Sequence, residues 1–150
     1  MNYSLYFSSA CRPNVGGEIA GVCMIESDNA NTKPEIILVY KPASVENNAF
    51  FANHFVFNKG LEHLKATAHE LETLTIYTAC NVIPKQISGD YKINVGAYQL
   101  FADASIDIIV ELFGYAQNGL SWKELPKERL LKSKNFIDKI IRDNNKKPEQ

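Results

Sequence analysis

The 150-residue chain has little of what marks several protein classes. Its three cysteines, Cys11, Cys23 and Cys80, are odd in number and widely spaced. That suits a reducing compartment better than a disulfide-stapled secreted scaffold, so a cytoplasmic or nuclear location is expected. No apolar run reaches the roughly 18 residues that a membrane helix needs. The start, Met1-Asn2-Tyr3-Ser4, lacks the basic and apolar stretches of a signal peptide. Neither sign of charge is in excess: 16 Lys and Arg face 17 Asp and Glu. A protein that coats nucleic acid through bulk charge would be far more basic. There is no repeat, low-complexity tract or internal linker. What is present, 45% hydrophobic and 22% charged residues, fits one globular domain. We place it over residues 1–144, with a polar tail over 145–150. A domain of this size buries enough surface to need no disulfide or metal staple.

Charge is distributed unevenly. Residues 1–122 hold seven basic and twelve acidic side chains, and residues 123–150 hold nine and five. The basic end reads first as a solvated helix face and tail.

The pattern gives a clear element order. Tyr3–Phe7 alternates aromatic and polar residues and reads as a strand. Ser8–Gly17 has loop chemistry. Glu18–Glu26 and Glu35–Lys41 read as two further strands of an antiparallel meander. A helix is expected from a Ser44 N-cap to about Ala68, interrupted by Gly60, which marks a bend or a close packing contact. Leu74–Thr78 reads as a buried parallel strand. Asn81–Ile87 reads as a short helix and Val95–Gln117 as a long buried one. Leu120–Leu125 reads as a short strand, and Lys127–Asn144 as an amphipathic helix.

Three segments in this order carry a resemblance. Leu5 to Gly17 (LYFSSACRPNVGG) looks like the YtDGSc-x-x-N-x-G-G stretch of ribonucleases H. Glu46 to Phe51 (ENNAFF) looks like the T-N-N-x-A-E of the same family. Ile76 to Lys92 looks like its I-x-T-D-S followed by V-x-x-Q-x-x-G-x-Y-K. Over roughly residues 3–142 the chain thus resembles the type 1 ribonuclease H family. The resemblance implies an α/β fold with a mixed five-stranded sheet, three antiparallel strands and then parallel ones, flanked by helices.

Family enzymes cut the RNA of RNA–DNA hybrids with two Mg²⁺ ions held by clustered carboxylates. Matched residue by residue, those carboxylates become Ser8, Phe51 and Ala79 here. The fourth falls on Lys134 or, one helical turn on, on Asp138. The resemblance therefore implies a pseudoenzyme without metal, cofactor or hydrolytic activity. Removing mutually repelling carboxylates would also relieve a cost of about 1–3 kcal/mol.

Polar residues stand where the family contacts nucleic-acid backbone. Asn14 and Asn48 match its asparagines and Gln86 its glutamine; Cys80 takes a serine position, and Arg12, Lys85 and Lys92 lie nearby. Amides bond phosphate and sugar without bulk charge, but Asn also caps turns and helix starts. An RNA–DNA hybrid or another A-form duplex, such as duplex RNA, is the first partner, recognised by shape and backbone. The alternative is a protein-interaction or structural module, including a homodimer. A thiol or redox role for Cys80, near a helix N-terminus and beside the Cys11 loop, is a third and more remote reading. The spacing of His54, His63 and His69 offers no helical zinc pair, and Asp103, Asp107 and Glu111 mark a solvated helix stripe.

Overall fold

The computed structural model describes residues 1–89 and 96–145. Its strands are β1 (Asn2–Arg12), β2 (Glu18–Ser27), β3 (Glu35–Lys41), β4 (Thr73–Thr78) and β5 (Leu120–Glu124). Its helices are α1 (Ala49–Thr67), α2 (Val82–Ser88), α3 (Gln99–Phe113) and α4 (Lys127–Asn144). Lys92, Tyr91, the start of the expected Val95 helix and most of the tail lie outside the described residues.

One sheet carries the five strands in the order β3-β2-β1-β4-β5. β1 pairs antiparallel with β2, and β2 with β3. β4 joins β1 in parallel and β5 joins β4 in parallel, because a crossover returns the chain to the same end of the sheet. α1 covers one face and carries α3 on its outer side, while α4 crosses the other face over β1, β2 and β3. β2 is thus covered on both sides. Its residues Ile19 to Ile25 are all buried, which matches its unbroken small and apolar sequence.

β1 extends five residues past the expected Phe7. Ser8 to Arg12 look like loop by composition, yet they ladder onto Val22 to Glu18 of β2. The antiparallel pairing overrides weak local propensity. The helix start also moves, from Ser44 to Ala49. Residues 42–47 are held out of the helix by Asn47, which is fully buried. Its amide Nδ2 donates to Gly17 O (2.8 Å) and Pro42 O (2.9 Å), and its Oδ1 accepts from Lys41 Nζ (2.7 Å). Asn48 is then the N-cap, its Oδ1 accepting from Phe51 N at 2.8 Å.

Two glycines set how closely α1 lies on the sheet. A Cβ on Gly60 would stand 2.8 Å from Cys23 Sγ and 3.3 Å from Leu5 Cδ1. A Cβ on Gly21 would stand 2.3 Å from a Val56 methyl and 2.9 Å from Ser8 O. Gly60 is therefore a packing contact in a continuous helix. The core beneath α1 joins Leu5, Phe7, Phe57, Leu61, Leu64 and Ile76. α3 is shorter than expected and half-solvated: Asp103, Asp107 and Glu111 are exposed, and Gly114, with φ 77°, follows its last residue. Leu100 on its outer side is 73% exposed, so the apolar run over 95–117 does not form one fully buried helix.

Candidate functional site

The parallel pairing of β1 with β4 runs out at Tyr6 and Tyr77, β1 continues to Arg12 beside β2 alone, and a cavity of about 250 Å³ opens where β4 ends. Phe7, Ser8 and Ser9 of β1, Asn53 of α1, Thr78, Ala79 and Cys80 at the end of β4, and Leu130 of α4 line it. A second cavity of about 460 Å³ adjoins it toward β5. The two share Thr78 and Cys80, and the second adds Asn81, Lys85, Trp122, Lys123 and Glu124. Sequence periodicity builds the first cavity. Phe7 and Ser9 face α1, since the Phe7 ring lies 5.1 Å from that of Phe57 and Ser9 Oγ donates to Asn53 Oδ1 at 2.8 Å. Strand alternation then turns Ser8 to the α4 side. Thr78 fixes the β4 end: its Oγ1 accepts from Cys80 N (3.0 Å) and its carbonyl from Leu125 N (3.0 Å).

Ser8 and Ala79, two of the positions matched to family carboxylates, meet in this cavity. Phe51 does not. It is 2% exposed and packs edge-on to Phe101 (5.5 Å between centroids), with Lys41 Nζ 5.0 Å from its ring. The helical residue facing β1 here is Asn53. The reason is the helix origin: with Asn48 as cap, the sheet-facing stripe runs through Asn53, Phe57, Gly60 and Leu64, and Phe51 falls on the side toward α3. Of the two candidates on α4, Asp138 accepts a short charge-assisted hydrogen bond from Arg12 Nη1, whereas Lys134 is exposed. The Arg12 bond holds the Asp138 carboxyl below the usual carboxylate range.

The expected nucleic-acid contacts divide in the same way. Asn14 Oδ1 accepts from Ala49 N at 3.0 Å, and Asn48 caps α1, so both amides hold the helix start. Gln86 is buried, and its Oε1 lies 2.7 Å from His54 Nε2. Arg12 is engaged by Asp138. Cys80 and Lys85 do line the cavities. Composition gave no sign of Ser9, Asn53, Asn81, Trp122 or Lys123. The phase of Phe57, Leu61 and Leu64 along α1 was the one signal that could have placed Asn53. As for the thiols, Cys11 is buried with its Sγ toward Pro13 O (3.4 Å), Cys80 is half-buried, and both are free.

Mg²⁺ takes carboxylate and water oxygens in octahedral geometry. The first cavity offers hydroxyl, amide, methyl and thiol groups, and these do not fit a two-metal centre. Among the described residues no group of three or more His, Cys, Asp or Glu is placed to hold a metal ion. Hydroxyls, amides and the two lysines suit a different ligand chemistry, that of phosphate and sugar oxygens.

No protein-family model matches the sequence, and no curated protein does either. Solved structures match nearly the whole chain. LC11-RNase H1, isolated from compost by a metagenomic approach, is 18% identical with a TM-score of 0.73, over 93% of this chain and 98% of that one. LC11-RNase H1 in complex with an RNA/DNA hybrid gives 17% and 0.71, over 93% and 99%. RNase H1 from the halophilic archaeon Halobacterium salinarum NRC-1 gives 14% and 0.69, over 95% and 99%. Identities this low speak to the backbone, and in strand order, pairing sense and helix placement the chain has the ribonuclease H-like fold.

Proposed function

We propose that the domain binds nucleic acid without cutting it, taking an RNA–DNA hybrid or another A-form duplex through shape and backbone contacts. The polar set along the middle of β1 and at the ends of β4 and β5 carries this reading. Ser8, Ser9, Asn53, Asn81, Lys85 and Lys123 surround two adjoining cavities that hold a single carboxylate, Glu124. The Ser8 hydroxyl, the amides and the ammonium groups donate to phosphate and 2′-hydroxyl oxygens, and Ser9, whose proton goes to Asn53, orients the Asn53 amide. The same set leaves two-metal hydrolysis without its ligands. The solved complex of LC11-RNase H1 with an RNA/DNA hybrid supports a duplex ligand for this backbone.

The contact set shares Lys85 with the residues that family matching suggests and extends beyond them. Asn14, Asn48, Gln86 and Arg12 also make bonds within the protein, as Ser9 and Asn53 do with each other, and the side chains lining the cavities add to them as contacts. A fluorescence anisotropy titration with RNA–DNA hybrid, duplex RNA and duplex DNA at two salt concentrations tests this. The expected result is binding to the two A-form duplexes that weakens as salt rises, and that Lys123→Ala or Asn53→Ala weakens further. Absence of binding to all three at low salt would refute it.

A further inference from the structure

The sheet has two edge strands, β3 and β5. The β5 edge is short, and its sequence (Leu120-Ser-Trp-Lys-Glu124) places charge on it, a usual way of discouraging pairing. The β3 edge is unlike it. Glu35-Ile-Ile-Leu-Val-Tyr-Lys41 is seven residues long, with five consecutive apolar positions and no proline. Ile36 is 47% and Leu38 54% exposed. Among the described residues β3 has a strand neighbour only on its β2 side. A groove of about 470 Å³ runs beside it, between Ile37–Tyr40 and Lys59, Glu62 and His63 of α1. A long apolar edge left open is an aggregation hazard, and native proteins protect one.

We propose that a second copy of this chain covers β3. The two β3 strands pair antiparallel about a two-fold axis at Leu38, and the two sheets become one. The sequence selects both the occupant and the register. About Leu38 the strand is self-complementary: Glu35 meets the second copy's Lys41, Ile36 meets Tyr40, Ile37 meets Val39 and Leu38 meets itself. Opposite charges stand at both ends and apolar residues between, and like charges never face each other. Shifting the axis by one residue, to Ile37, puts Glu35 opposite Val39 and loses both ion pairs. The exposed side chains Ile36 and Leu38 share the face that α4 leaves open beyond Tyr40, and they would be covered together. The groove beside α1 gives room to the second copy's Ile37 and Val39. An isologous contact of this kind closes on itself and leaves no β3 edge for further chains.

Sedimentation velocity over a concentration series of the full chain tests the pairing. Wild type should dimerise. Glu35→Lys and Lys41→Glu each set like charges face to face twice and should weaken association by about tenfold. An equimolar mixture of the two should recover it as a heterodimer, since each Lys then faces a Glu. Leu38→Arg, at the axis, should leave a monomer. Circular dichroism and melting of each variant confirm folding. Lys41 also bonds Asn47 and pairs with Glu46, and Glu35 lies 2.7 Å from His63 Nε2, so if either charge variant misfolds, Leu38→Arg carries the test. Wild type that stays monomeric at every concentration would overturn the proposal. So would a dimer indifferent to these substitutions, or folded charge variants that fail to recover association when mixed.

Discussion

Gly60→Ala separates helix propensity from packing by the sign of its effect. In an exposed helix interior, Ala is more stable than Gly by about 1 kcal/mol. At residue 60 the new methyl would stand 2.8 Å from Cys23 Sγ, 3.3 Å from Cys23 Cβ and 3.3 Å from Leu5 Cδ1. None of these atoms yields easily. Cys23 and Leu5 are both fully buried, and the thiol is anchored toward Val56 O at 3.4 Å. Burial pushes that thiol up to about 12, so it stays neutral at neutral pH. Forcing a methyl into a well-packed seam costs about 1–3 kcal/mol. Set against the propensity gain, the net is a loss of about 1 kcal/mol. Urea denaturation should show a lower midpoint with an unchanged slope, and the melting temperature should fall by about 2–4 °C. Cys23→Ala removes the sulfur, and the double variant should recover part of the loss, a coupling of at least about 0.5 kcal/mol. A Gly60→Ala protein more stable than wild type would refute the close approach of α1 to β2.

Other consequences follow from single side chains. Asn47→Ala removes a buried amide that serves two carbonyls and a lysine. It should cost about 1–3 kcal/mol in denaturant titration, and loss of order at the α1 start should be visible by hydrogen exchange. Burial pushes the His54 ring below the ordinary histidine range, against the opposing effect of its Gln86 bond. The unfolded chain therefore takes up its proton at higher pH than the folded one. The stability gained from neutral His54 is whole above about pH 6.5 and is lost as pH falls below it. The urea midpoint should drop over that range, and His54→Phe should flatten the drop. Ser8→Asp combined with Ala79→Asp would place two carboxylates in one cavity. We expect a loss of about 1–3 kcal/mol at neutral pH, partly reversed by Mg²⁺ in a thermal melt. An unaltered melt would show that the two positions do not interact.

Much of the architecture was legible because periodicity and turn chemistry agreed with it. The meander, the parallel return of Leu74–Thr78 and the exact span of α4 all follow from apolar spacing and short connections. Errors fell where tertiary contacts decide. Ser8 to Arg12 look like loop and become strand only through the ladder to β2. Ser44 looks like a cap, but Asn47 pins the preceding segment and passes the cap to Asn48. That shift turned Phe51 away from the cavity and brought Asn53 in. Motif matching carried the resemblance to its fold but could not tell which amides were already used internally. Asn14, Asn48 and Gln86 match binding positions, yet each holds a neighbouring element in place.

Binding without cleavage is tested by titrating the protein into labelled RNA–DNA hybrid with Mg²⁺ or Mn²⁺ present and following binding and strand cleavage in the same tubes. Saturable, salt-sensitive binding is expected, with the RNA strand intact throughout. Cleavage that needs the metal would contradict the reading of the cavity as one without metal ligands. Failure to bind the hybrid at low salt would contradict the proposed function itself.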